Sequence, residues 1–169
     1  MSELSTNLTL DRLFRHMAWA NSYVLQKLSQ LTTEELALAL PENDWNVGAI
    51  TEHFVRSAGF YVRRLGGEIE TLSVELPLSP SDLSQLQQRC ALYDQQLREE
   101  SRKAEAILIH ERDGQTIRRA RSTILGQSIH HAIEHRAQIA DILVFHKIAI
   151  IDLDEIDVWG LGDAEGLGE

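Results

Sequence analysis

His131 and His135 stand four residues apart in the segment Ser128-Ile-His-His-Ala-Ile-Glu-His135-Arg-Ala-Gln-Ile139. Four residues is just over one turn of an α-helix, so both imidazoles leave the same face. Neutral imidazole is the commonest metal-binding side chain, and two on one face can grip a single divalent ion. A third histidine, His53, lies in a second amphipathic segment, from Asn46 to Tyr61. If the two segments pack as neighbouring helices, three imidazoles converge. Such a set leaves positions open on the ion, as a catalytic metal requires.

The neighbours of the pair decide how much it means. At about 100° per residue, Ile124, Ser128, His131, His135, Gln138 and Ile142 share one narrow sector, with Ile139 at its edge. Histidines among core-facing isoleucines need partners, because an unpaired buried polar group is costly. A metal ion would supply them, and so would buried waters; the stripe leaves both open. His130 points about 100° away and is expected on the flank, with Glu134 as its surface neighbour.

The elements that must position these residues are four long helices. The first is expected from about Leu8 to Gln30, with Leu10, Leu13, Phe14, Met17, Ala20, Val24 and Leu28 at helical spacing. Thr32-Thr-Glu-Glu35 has the form of a capping box and predicts a short helical turn. Asn46 is an N-cap for the second long helix, with Trp45 and Ile50 spaced as a hydrophobic staple. That helix carries His53 and is expected to stop near Gly66-Gly67. Ser79 followed by Pro80 starts the third, which runs to about Ala104. The period then changes, and Asp113-Gly114 at the centre of Ile107 to Ile117 signals a two-stranded hairpin. The fourth helix, from about Ser122 to Lys147, carries His131 and His135. Beyond it, Leu153, Ile156 and Trp159 are expected to fold back. The economical architecture is all-α: one four-helix-bundle domain over residues 1–159 with a small β-hairpin between the third and fourth helices. Residues 160–169 are read as an acidic flexible tail.

Composition narrows the function classes. The chain has 169 residues and a formal net charge of −10, which repels phosphate backbones and argues against a nucleic-acid partner. Basic residues nevertheless gather locally, at Arg56, Arg63 and Arg64 and again at Arg112, Arg118, Arg119 and Arg121. The single cysteine, Cys90, excludes an intrachain disulfide and sits in the apolar register Leu83, Leu86, Cys90, Tyr93, Leu97, so it is expected as a buried small hydrophobe rather than a nucleophile. The first residues, Met1 to Asn7, lack a basic segment followed by an apolar run, and no stretch is apolar enough for a membrane span. A cytoplasmic protein without a membrane partner is expected.

Other chemistries lack their residues. Ala132 follows the histidine where a zincin would have glutamate. No Glu-x-x-His supplies a di-iron bundle: Glu52 is followed three later by Val55, and Glu134 by Ala137. Gly66-Gly67 and Gly160-Leu-Gly162 lack the context of a phosphate loop, and no nucleophile elbow accompanies the serines.

With these motifs in place, the chain resembles the DinB-like (YfiT-like) family of metal-dependent enzymes. The likeness is carried by Trp19-Ala20-Asn21 with Val24-Leu25, by Gly48 to His53 through Arg63-Arg64-Leu65-Gly66, and by His131-x-x-x-His135-Arg136-Ala137-Gln138-Ile139. Ala137 stands where the family pattern has glycine, and Gln127 where many members have a further histidine. The resemblance implies an up-down-down-up bundle that dimerises, with His53, His131 and His135 as ligands of a divalent metal. Zinc and nickel come first, with iron and manganese as alternatives. Relatives include S-transferases that use a low-molecular-weight thiol, and proteins described as hydrolases. The expected protein is therefore a metal-dependent enzyme that activates a thiol or water for a small-molecule substrate. The catalytic group would be the activated thiol or water itself, and the remaining positions around the metal could be lined by Trp19, Tyr61, Arg64 and Gln138. The alternative is a non-enzymatic metal-binding helical bundle acting in sensing or partner binding.

Overall fold

Helical periodicity and capping residues become α1 (Leu8–Leu28), α2 (Thr33–Leu36), α3 (Val47–Arg64), α4 (Pro80–Glu100), α5 (Arg121–Phe145) and α6 (Val158–Ala164), with a hairpin of β1 (Ile107–Arg112) and β2 (Gln115–Ala120) before α5. The structure is a computed structural model, and it describes residues 7–167. Residues 1–6, within the N-terminal stretch in which no targeting segment is expected, and 168–169, at the end of the expected acidic tail, lie outside the described residues.

Helices α1 to α4 start where a side chain can take up an orphan backbone donor, whereas α5 follows directly from β2 with Ala120 at its cap position. Asn7 Oδ1 accepts from the Leu10 amide at 3.1 Å, and Asn46 Oδ1 from the Ala49 amide at 2.8 Å. Thr32 and Glu35 cap α2 reciprocally. The Ser79 amide donates to the Asp82 carboxylate at 2.8 Å, with Pro80 opening α4. At the other end of α3 the chain turns through Gly66 at φ 92°, a left-handed conformation that glycine adopts without Cβ strain.

The apolar faces then decide the packing. Helix α1 lies against α4 and α5, and α3 lies against α4 and α5. Between them Phe14, Met17, Val24, Phe54, Val62, Leu83, Leu86, Leu97, Ile139 and Leu143 are buried. The α3–α5 contact brings the His53 face beside the His131 and His135 face. The hairpin pairs antiparallel from Ile107 opposite Ala120 to Arg112 opposite Gln115. Asp113 at φ 53° and Gly114 at φ 73° form its tip, the left-handed pair that a two-residue turn needs to match strand twist. β2 runs into α5 and packs on it. Among the described residues, no helix is long and apolar enough to cross a membrane.

The C-terminal end departs from expectation. Residues 160–167, expected as flexible, belong largely to α6, where the Asp157 carboxylate accepts from the Gly160 amide at 2.8 Å and Leu161 is buried. Glu165 pairs with Arg12 at 3.3 Å and with Arg15. One acidic residue of the segment read as a solvated tail thus finds two arginines on α1. Of the three residues expected to fold back, Ile156 is buried, whereas Leu153 is exposed and Trp159 is 84% exposed.

Candidate metal centre

His53 is placed on α3 two turns after the Asn46 cap, and His131 and His135 lie mid-way along α5. The three are brought together: a nitrogen of each lies within 4.8 Å of one of the others. His131 Nε2 is 3.2 Å from His53 Nε2 and 3.1 Å from His135 Nε2. His130 is exposed on the flank, as its position in the turn requires.

Hydrogen bonding satisfies this arrangement poorly. His135 Nδ1–H donates to Gln138 Oε1 at 2.7 Å, so a neutral His135 keeps only a lone pair at Nε2. A proton on His131 Nε2 could be donated to that lone pair, but His131 would then have nothing with which to accept from His53. The best tautomers leave a single His131 N–H between two lone pairs, and it can be aimed well at only one of them. A cation at the common point removes the conflict. Ligand nitrogens about 2.1 Å from an ion, at tetrahedral or octahedral angles, stand about 3.0–3.4 Å apart. The observed separations fall in that interval, so the residues fit a divalent metal.

Burial favours the uncharged imidazoles that metal binding needs. His131 is lowered to about 4, first by burial and then by the neighbouring His135 and His53. His53 is lowered chiefly by burial, with His135 adding to the effect and Glu52 opposing it. Tyr61, its hydroxyl pushed up by burial, remains a proton donor through neutral pH.

Aromatic rings wall the cluster. Trp45 lies 5.0 Å from the His53 ring and 5.6 Å from His135, centroid to centroid. Tyr61 meets His131 edge-on at 5.7 Å. Ser57 Oγ is 3.5 Å from His53 Nε2. Trp45, expected from the sequence to staple the start of α3, thus lies against two of the histidines, and nothing in its sequence context beyond a tryptophan in a polar connector pointed there. Trp19, a candidate lining residue from the sequence, packs instead toward His16 and Gly160. Gln138 and Tyr61 do touch the histidines. Arg64 lies one turn beyond Tyr61, in the wall of an adjoining cavity.

Beneath the cluster runs a buried polar network that links three helices. Arg136, next in the chain to His135, donates to Asn21 Oδ1, and Asn21 Nδ2 donates to the Asp94 carboxylate at 3.0 and 3.2 Å. Cys90 Sγ–H donates to Asp94 at 3.5 Å. Burial pushes Asp94 up to about 6, opposed by Asn21, Cys90 and Arg136, and pulls Arg136 down to about 10, opposed by Asp94. These opposite pulls describe a buried pair whose charges support one another through Asn21. Cys90 is buried as expected, and its thiol is held well above its usual range by burial and by Asp94. Asp94 was missed by sequence reasoning; an aspartate four residues after Cys90 in an otherwise apolar register was the available signal.

A family model described as the DinB family matches residues 1–144, a span that contains all three histidines. No curated protein and no solved structure matches the chain.

Proposed function

The chain belongs to the DinB family, and from that premise we propose that His53, His131 and His135 hold one divalent metal ion at the centre of an enzyme site. The reaction proposed is transfer of a low-molecular-weight thiol to a small electrophile, or hydrolysis. The observation that carries this reading is the trio of Nε2 atoms at 3.1 and 3.2 Å with one ring committed to Gln138. Structural zinc sites close on four protein ligands, often cysteines, whereas three imidazoles leave room for substrate. Imidazole suits zinc, nickel, iron and copper alike; zinc and nickel are the first choices here. A divalent ion in such a site lowers the pKa of a coordinated thiol or water and so supplies a nucleophile near neutral pH.

The chain's own residues do the rest. Gln138 holds the His135 ring in the tautomer that aims Nε2 at the centre. Trp45 covers His53 and His135 and keeps bulk water from one side. Tyr61 presents a protonated hydroxyl on the side of His131. In the same reading the long helices form an up-down-down-up four-helix bundle in a single domain, and two copies pair as a homodimer.

The test is turnover. Chelator-stripped protein reloaded with zinc or nickel should conjugate a small thiol to an electrophile, or hydrolyse an ester, and His131→Ala should abolish the activity. Activity that survives in His131→Ala contradicts the proposal. Stoichiometric metal without turnover on any thiol or ester would favour the sensing or partner-binding bundle instead.

A further inference from the structure

Two basic stretches far apart in sequence meet on one side of this molecule. Arg64 ends α3, while Arg112 and Arg119 belong to the hairpin, and all three line a cavity of about 290 Å³ between α3, the hairpin and α5. No aspartate or glutamate is among its lining residues, although the chain as a whole carries a net charge of −10. Arg112 has a loose pair with its neighbour Asp113 at 3.4 Å. Among the described residues, Arg64 and Arg119 have no carboxylate within ion-pair distance. The Arg64 guanidinium stacks over the Phe60 ring at 4.8 Å, which holds its plane and leaves its N–H edges free. Arg119 uses Nη1 on the Arg118 carbonyl at 2.9 Å and keeps its other donors.

The hairpin adds His110 to this wall. Its Nε2 is shielded from solvent and has no hydrogen-bond partner, an unmet demand in a structure whose buried polar atoms are otherwise almost all paired. Tyr61 joins the cavity to the metal centre: the same ring lines the cavity and meets His131 at 5.7 Å. A second cavity, beside His53, is of different character. Its wall includes Glu70, and its Arg56 is already paired with Glu52.

We propose that the cavity between α3, the hairpin and α5 is an anion seat, which takes a carboxylate or phosphate group of the small molecule that reacts at the metal centre, with Arg64 and Arg119 as its principal contacts. Guanidinium forks match both anions with paired N–H donors. The consequence for substrate choice is that acidic thiols or acidic electrophiles are accepted and neutral ones are poor. The role in substrate choice rests on the metal-enzyme reading above; the seat itself does not need the metal.

The experiment separates the two. Full-length His131→Ala protein, and chelator-stripped wild type in case that variant folds poorly, are titrated with inorganic phosphate and separately with succinate. The ring resonances of His110 are followed by NMR. A saturable shift is expected with at least one anion, and which one saturates identifies the group. Arg64→Gln and Arg119→Gln should each weaken it about tenfold, the loss of one charge-assisted contact, and added salt should weaken it further. Arg119→Gln should leave the metal content of the otherwise intact protein unchanged. A shift that never saturates, or that saturates in both arginine variants as it does in the wild type, overturns the anion seat while metal content stands. Wild-type protein that takes up no metal but shows the saturable shift overturns the metal reading and leaves the seat.

Discussion

A neutral imidazole has one lone pair and one N–H, and that inventory governs the centre residue by residue. Once Gln138 Oε1 accepts the hydrogen bond from His135 Nδ1–H, the orientation of that ring is set by a side chain three positions further along the same helix. Gln138→Leu should therefore weaken metal binding by about 10–100-fold, the usual cost of losing an outer partner. Competition against a chromophoric chelator measures the affinity, and an unchanged value would mean that Gln138 does not orient the ring. The His131–His135 pair and the Gln138 stripe were legible in the sequence because helical period alone fixes which side chains share a face. His53 was legible as a histidine on an amphipathic helix, and its partnership depended on which helices pack. Trp45 was not, because its contacts with His53 and His135 depend on the path of a connector that has no period to read.

At the scale of elements, the histidines keep their places because α1, α4 and α5 are tied beneath them. Removing Asp94 strands the Arg136 guanidinium in the interior, where both residues are at most 4% exposed. Breaking a buried pair from one side costs about 3–5 kcal/mol, so Asp94→Ala should lower the denaturant midpoint by an amount of that order. A loss below about 1 kcal/mol, the level of an exposed pair, would show that the network holds nothing. A second tie joins α1 to the segment before α6, where the buried His16 donates to the Ile156 carbonyl at 2.8 Å. His16 is lowered below its ordinary 6.5, first by burial, with Ile156 opposing and Arg136 assisting. A depressed histidine stabilises the fold above the unfolded value and loses that contribution as the pH falls through the folded one. The advantage of wild type over His16→Gln should therefore shrink as the pH drops below 6.5, as read from urea unfolding across that range. An advantage that grows on acidification would reverse the assignment. Caps and turns made the elements themselves readable: Thr32, Asn46 and Ser79 begin helices, and Asp113-Gly114 turns the hairpin, as expected. The ties between elements were not, since Asn21, Asp94 and Arg136 are far apart in sequence and each alone passes for a surface residue.

Across the whole molecule, local signals carried the order of elements and failed at the C-terminal end. The run from Asp152 onward has the composition of a solvated tail, and only the placement of Arg12 and Arg15 on α1 gives Glu165 a reason to pack. The basic clusters show the same limit, because the hairpin must fold onto α5 before Arg112 and Arg119 face Arg64 across one cavity. The centre likewise exists only in the assembled fold, where α3 and α5 bring residues 78 and 4 positions apart into contact. The most direct measurement of that centre is metal content per chain, by elemental analysis of protein purified without a nickel column and then offered zinc or nickel. One ion per chain is predicted for wild type and for His130→Ala, whose side chain points to the flank, and none for His131→Ala. Retention of the ion by His131→Ala, with its loss from His130→Ala, would contradict the three-histidine centre.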